Sequence, residues 1–155
     1  VASNNSLIER LRTRTGDEWW PRPPAPRDDV AALERELGVR LPEDYLQLLL
    51  ASNGGSINGR RASINLESAQ GVLDLNLDGG YRDELPGMVV VGDNGGGELY
   101  FYDPTNQLGK GVNALFLVGM ADLDPAAATF VARNLGEAMD RVYAGDAFRR
   151  PLGPP

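Results

Sequence analysis

The spacing of apolar positions changes character twice along the chain. In SLIERLRTR, Leu7, Ile8 and Leu11 fall on one helical face behind a Ser6/Glu9 capping pattern, which predicts a short helix. WWPRPPAPR then interrupts helical structure, because Pro21, Pro23, Pro24 and Pro26 hold the backbone extended. The expected result is a stiff connector with Trp19 or Trp20 packed on the core. Val30, Leu33 and Leu37 recur at helical spacing behind Asp28 or Asp29 as cap, and Gly38 supplies a stop. RLPEDYLQLLLASNGG predicts a further helix, with Pro42 at its first position, Tyr45, Leu46 and Leu49 inward, and Asn53-Gly54-Gly55 as its end.

Beyond this point the period shortens to two. ASINLE, VLDLNLD, MVVVGD, ELYFYD and VNALFLVG are short strand candidates punctuated by Gly, Asn and Asp. Asp124 and Pro125 then predict the start of a long helix carrying Phe130, Val131, Leu135, Ala138, Met139, Val142 and Tyr143 inward, with Gly145 ending it and RRPLGPP as a frayed tail. Helices, an antiparallel meander and a closing helix make an α+β domain. The expected organisation is an N-terminal helix and proline-rich connector over residues 1–27, packed as part of the same domain, a core over 28–146 and a flexible tail over 147–155.

Composition narrows the chemistry. The chain has 155 residues, enough to bury a core without staples, and neither cysteine nor histidine. Disulfides, thiolate zinc sites, thiol nucleophiles and every histidine-dependent triad are therefore excluded. No apolar run approaches the roughly 20 residues of a membrane span. The stretch VASNNSLIERL lacks the basic and apolar regions of a signal peptide, so a cytoplasmic protein is expected. The net charge of −7 is concentrated in the middle: residues 41–124 carry 12 acidic and four basic side chains. Such a surface repels phosphate backbones and attracts basic partners, which argues against direct nucleic-acid binding.

Two stretches invite a ligand-binding reading. Asp74, Asn76, Asp78 and Gly79 follow the opening order of an EF-hand loop, but the position that should hold the bidentate Glu is Leu85, and Glu84 falls one short. Leu73, Leu75 and Leu77 alternate with the polar residues, so a strand with one polar face is expected there instead of a metal site. Gly95-Gly96-Gly97 follows a strand as a phosphate loop would, yet no lysine follows and the next segment is ELYFYD. A hairpin connection using positive φ at Gly95 to Gly97 is the expected structure, with no cofactor. The carboxylates Asp74, Asp78, Asp93, Glu98 and Asp103 would need to converge before a hydrolase reading could stand, and their spacing fixes no such geometry.

Several of these pieces in order resemble the SUKH superfamily, the group that includes yeast cell-wall-synthesis regulators and many bacterial immunity proteins. The matching residues are Leu37-Gly38, Leu41-Pro42-x-Asp44-Tyr45, Asn53-Gly54-Gly55, and Gly92-Asp93-Asn94-Gly95 running through Gly97-Glu98 into Tyr100, with Phe130 similar to the aromatic that opens the family's last helix. The similarity covers Ile8 to Tyr143 and departs between Gly119 and Thr129, where the segment is Ala-rich. It implies a central, largely antiparallel sheet flanked by helices, and a non-catalytic domain that binds and neutralises a toxin. The alternative it implies is a cytosolic regulatory or scaffolding domain that binds a host protein. With eight acidic residues against Arg82 alone between Asn65 and Asp103, the expected partner is a basic toxin, for example a nuclease. Asp74, Asp78, Asp93 and Glu98 are the candidate charges, and Tyr81, Tyr100 and Tyr102 the candidate aromatic anchors.

Overall fold

The computed structural model describes residues 6–148; of the flexible tail expected over 147–155, residues 149–155 lie outside them, whereas Phe148 is buried in the main core. Six helices and seven strands follow in the order α1 (Leu7–Arg12), β1 (Trp19–Pro21), α2 (Arg27–Leu37), α3 (Glu43–Ala51), β2 (Gly55–Asn58), β3 (Ser63–Leu66), α4 (Ala69–Leu73), α5 (Tyr81–Glu84), β4 (Val89–Asp93), β5 (Glu98–Asp103), β6 (Ala114–Gly119), β7 (Thr129–Ala132) and α6 (Leu135–Tyr143). The strands form one sheet in sequence order, every neighbouring pair antiparallel. This α+β meander has two separate hydrophobic layers. The helices α1, α2, α3, α4 and α6 bury Leu11, Leu33, Leu48, Leu49 and Val142 against one face of the sheet. On the opposite face, β4 to β6 carry a smaller cluster, with Val90, Phe101 and Phe116 at its centre.

Local signals explain most of the helical layer. Ser6 accepts a hydrogen bond from the Glu9 amide and caps α1. Gly38, at φ 71°, ends α2 in the left-handed conformation expected of a glycine stop. The aspartates Asp28 and Asp29 do not cap α2; they lie in its first turn, and Pro26 occupies the cap position without a side-chain hydrogen bond. Pro42 likewise precedes α3 by one position. The proline-rich segment does more than connect, because Trp19–Pro21 pairs with β2 as an edge strand. That is a place where a missing proline N–H costs little.

Two expected elements also take another form, each for a physical reason. The stretch VLDLNLD is not a strand. Ser68 caps α4 by accepting from the Gly71 amide, and the helix continues through a π-helical turn over Asp74–Asp78, where the Gly79 amide donates to Asp74 O, five residues back, at 2.8 Å. Its inward residues are Ala69, Val72, Leu73 and Asn76, a spacing of three, one and three that is helical; the polar Asn76 hid the pattern. Asn76 is 1% exposed, and its amide nitrogen donates to Val72 O (2.7 Å) and Val90 O (2.8 Å) while its oxygen accepts from the Val90 amide (2.9 Å). The side chain pairs with β4 as a strand residue would, at the point where β3 has stopped pairing and β4 bulges.

The long closing helix is also corrected. Asp124 caps only a single 3-10 turn over Pro125–Ala127, and the β-branched and aromatic run Thr129-Phe130-Val131 then pairs with β6 as β7. Phe130 therefore lies on a strand, not at a helix start. The helix begins at Leu135, capped by Asn134, whose oxygen accepts from the Glu137 amide at 2.8 Å.

Asn76→Ala leaves the Val90 amide and carbonyl buried without partners, and each such group costs about 1–3 kcal/mol. The expected loss is about 3 kcal/mol in urea denaturation. Leu77→Ala, one residue away and 36% exposed, is expected to cost less than about 1 kcal/mol.

Candidate interaction surface

The seven residues singled out from the sequence separate into three groups. Asp74, Asp78 and Tyr81 come together on the segment that runs from the π turn into α5. Asp74 and Asp78 are exposed there, as are Asp83 and Glu84, with Arg82 the only basic side chain among them. Tyr81 is half-buried against the smaller core, and Leu77 shows 36% of its surface. The acidic segment is thus solvated and lightly studded with apolar groups. Asn76 within it is fully engaged with the main chain, and Gln70 Nε2 donates to Asp74 Oδ1 at 2.9 Å. No group of three or more His, Cys, Asp or Glu side chains suited to a metal occurs among the described residues.

Asp93 and Glu98 flank the glycine-rich β4–β5 hairpin. Asp93 Oδ1 accepts from the Gly95 amide (2.8 Å) and from Asn65 Nδ2 (3.1 Å), and Asn94 Oδ1 accepts from the amides of Gly96 and Glu98. Gly95 and Gly97 adopt positive φ, at 74° and 89°; Gly96 does not. The loop's amides are satisfied by its own Asx side chains, which is how a turn is built. Register places Asp93 opposite Leu99, and Glu98 on the side of Tyr100, so the two carboxylates point to opposite faces. Asp103 is buried and spends both oxygens on the amides of Gln107 and Leu108. These acids have separate structural tasks and do not converge.

Tyr100 and Tyr102 are core residues, both without measurable exposure, so neither presents its ring as a surface anchor. Alternation puts them against the helical layer and Phe101 in the smaller core, so both faces of β5 are covered. Tyr100 donates its hydroxyl to Ser63 O at 3.0 Å, whereas the hydroxyls of Tyr45 and Tyr102 find no partner among the described residues. Tyr45 and Tyr102 meet edge-on, ring centroids 5.4 Å apart. Burial holds all three phenols well above their ordinary range.

What sequence reasoning did not find is an open area on the sheet. Cross-strand register aligns Trp20, Ser56, Asn65 and Asp93 in one row on the face opposite the helices. The alternate row, Trp19, Ile57 and Ile64, is buried beneath the helical layer. The same row passes on to Leu99 and Val118 under the smaller core. Over β1 to β3 no apolar cluster of the described residues covers this face, and Trp20 is 59% exposed. The missed signal was the Trp19/Trp20 pair itself, since adjacent strand residues point to opposite faces.

The motif residues hold the scaffold together. Asn53 Oδ1 accepts from the Ala69 amide, joining the end of α3 to the start of α4. A Cβ on Gly54 would lie 2.4 Å from Leu66 O, and one on Gly92 2.2 Å from Asn65 O. A seven-stranded antiparallel meander with helices on one face and a half-covered second face defines an α+β scaffold whose free surfaces lie on strands and connections. The chain belongs to the SMI1 / KNR4 family (SUKH-1), whose model matches residues 24–141. Among curated proteins no match is found. No helix among the described residues is long and apolar enough to cross a membrane.

The buried phenols set an alkaline limit on stability. Their folded pKa values lie above the unfolded value near 10, so the unfolded chain binds fewer protons once pH exceeds about 10, and stability falls as pH rises. Each phenol contributes a slope of about 1.4 kcal/mol per pH unit until its own folded pKa is reached. Thermal melts between pH 9 and 11.5 should show this decline, and Tyr102→Phe should reduce it. At neutral pH the same substitution removes an unpartnered hydroxyl and should cost less than about 0.5 kcal/mol, whereas Tyr100→Phe loses a hydrogen bond and should cost about 1 kcal/mol.

Proposed function

We propose that this chain is a non-catalytic binding domain of the immunity type, which associates with a basic protein toxin and blocks it. Membership of the SMI1 / KNR4 family supports a protein-binding role. The observation that carries the choice of partner is the exposed acidic segment bearing Asp74, Asp78, Asp83 and Glu84 beside the half-buried Tyr81. Charges of this kind, solvated and unburdened by structural hydrogen bonds at Asp78, Asp83 and Glu84, act chiefly on the rate of encounter. Asp93 and Glu98 add negative charge at the hairpin. The dispersed carboxylates and their structural duties favour binding over a carboxylate-based hydrolase, and in this reading the protein works in the cytoplasm.

The test is association kinetics with the product of the neighbouring gene on an immobilised surface, at low and high salt. Asp78→Lys with Glu84→Lys should slow association about tenfold and flatten its salt dependence, while Glu9→Lys on α1 should change it less than twofold. An on-rate that ignores both salt and the double reversal removes the acidic segment from the mechanism. A partner that is itself acidic removes the toxin reading and favours a regulatory domain binding a host protein.

A further inference from the structure

We infer that the row Trp20, Ser56, Asn65 and Asp93 is the docking strip for an extended, arginine- or lysine-bearing segment of the partner. The inference rests on the basic-partner reading above and assigns the contact to a different surface from the acidic segment. The four residues share one face of β1 to β4 by direct cross-strand pairing. With strands ~4.8 Å apart, Trp20 and Asp93 stand roughly 14 Å from each other, the reach of four or five extended residues.

The chemistry of the row is one-sided. Asp93 Oδ1 is occupied by Asn65 Nδ2 and the Gly95 amide, which orients the carboxylate and leaves Oδ2 without a partner among the described residues. Donation by Asn65 Nδ2 turns the amide so that its oxygen is left as a free acceptor beside it. The Ser56 hydroxyl is also unengaged among the described residues. At the far end Trp20 offers an indole, 59% exposed, on a backbone stiffened by Pro21, Pro23 and Pro24. An aromatic face followed by acceptors ending in a carboxylate matches a donor-rich occupant, with a guanidinium or ammonium stacked on Trp20 and a second basic group at Asp93. The nearby Arg60 and Arg61 belong to the β2–β3 turn, where they line a hollow with Asn94, Gly95 and Gly96, and Arg60 lies against Gly145 at the end of α6. Division of labour follows: the acidic segment speeds encounter, and the strip holds the bound partner.

The test is a two-dimensional amide NMR titration of the full chain with N-acetylated, C-amidated hexa-arginine, with hexaglutamate as the control probe. Saturable shifts are expected at the Trp20 indole and at the amides of Ser56, Asn65 and Gly95. Trp20→Ala combined with Asp93→Asn should weaken this binding at least tenfold, Trp20→Phe should retain part of it, and Asp78→Lys should leave the shifted set unchanged. The spectra of the variants report their folding directly; Asp93→Asn keeps the oxygen that the Gly95 amide requires. Hexa-arginine shifts confined to residues 74–84, or no shift with either peptide, would overturn the strip while leaving the basic-partner reading to its kinetic test. Saturable binding of hexaglutamate alone would overturn both.

Discussion

A single buried amide decides how the two halves of this molecule meet. β3 pairs with β4 over only two register positions, after which the Val90 main chain would face the interior with its N–H and C=O unpaired. Asn76 supplies both missing partners from the end of α4. An unpaired buried peptide group is costly enough that the helix must stay against β4, and the position of α4 then directs α5 across to the other face of the sheet. That placement roofs the smaller core with Leu75, Tyr81 and Leu85. It also carries Asp78, Asp83 and Glu84 to the surface together.

The roof is incomplete, and the two faces of the sheet are covered unequally. The helical layer packs on its face of the sheet from β1 to β7. On the other side, cover from α5 and from the loops bearing Leu108 and Leu123 reaches β4 to β6 and stops. The polar residues of β1 to β3 on that side are consistent with solvent. Trp20 places an exposed indole among serine and asparagine on that face.

The motifs by which the chain is recognised belong to the scaffold. Gly54 and Gly92 permit close backbone approach, Asn53 ties two helices together, and Asp93 and Asn94 wrap the glycine-rich turn. Asp93 holds the turn through one oxygen, which accepts from both the Gly95 amide and Asn65 Nδ2. Family membership therefore speaks to the architecture, and the residues that would choose a partner lie largely outside the recognisable pattern.

The amino-acid sequence alone determined the class of fold, the first three helices and the strands β3 to β6, because capping residues, glycine stops and period-two alternation act over a few residues. The absence of histidine and cysteine and the excess of acid in the middle of the chain were equally plain. Three outcomes belonged to tertiary structure. Asp74 to Asp78 became helical, a form in which Asn76 pairs with Val90 while Leu73 joins the main core and Leu75 packs on the smaller one. Thr129 to Ala132 became a strand because β6 offered an edge and the smaller core a place for Phe130. Tyr100 and Tyr102 left the candidate site because alternation tells only that neighbours face opposite ways; whether each face meets water or a second layer depends on segments far along the chain, and here both were covered.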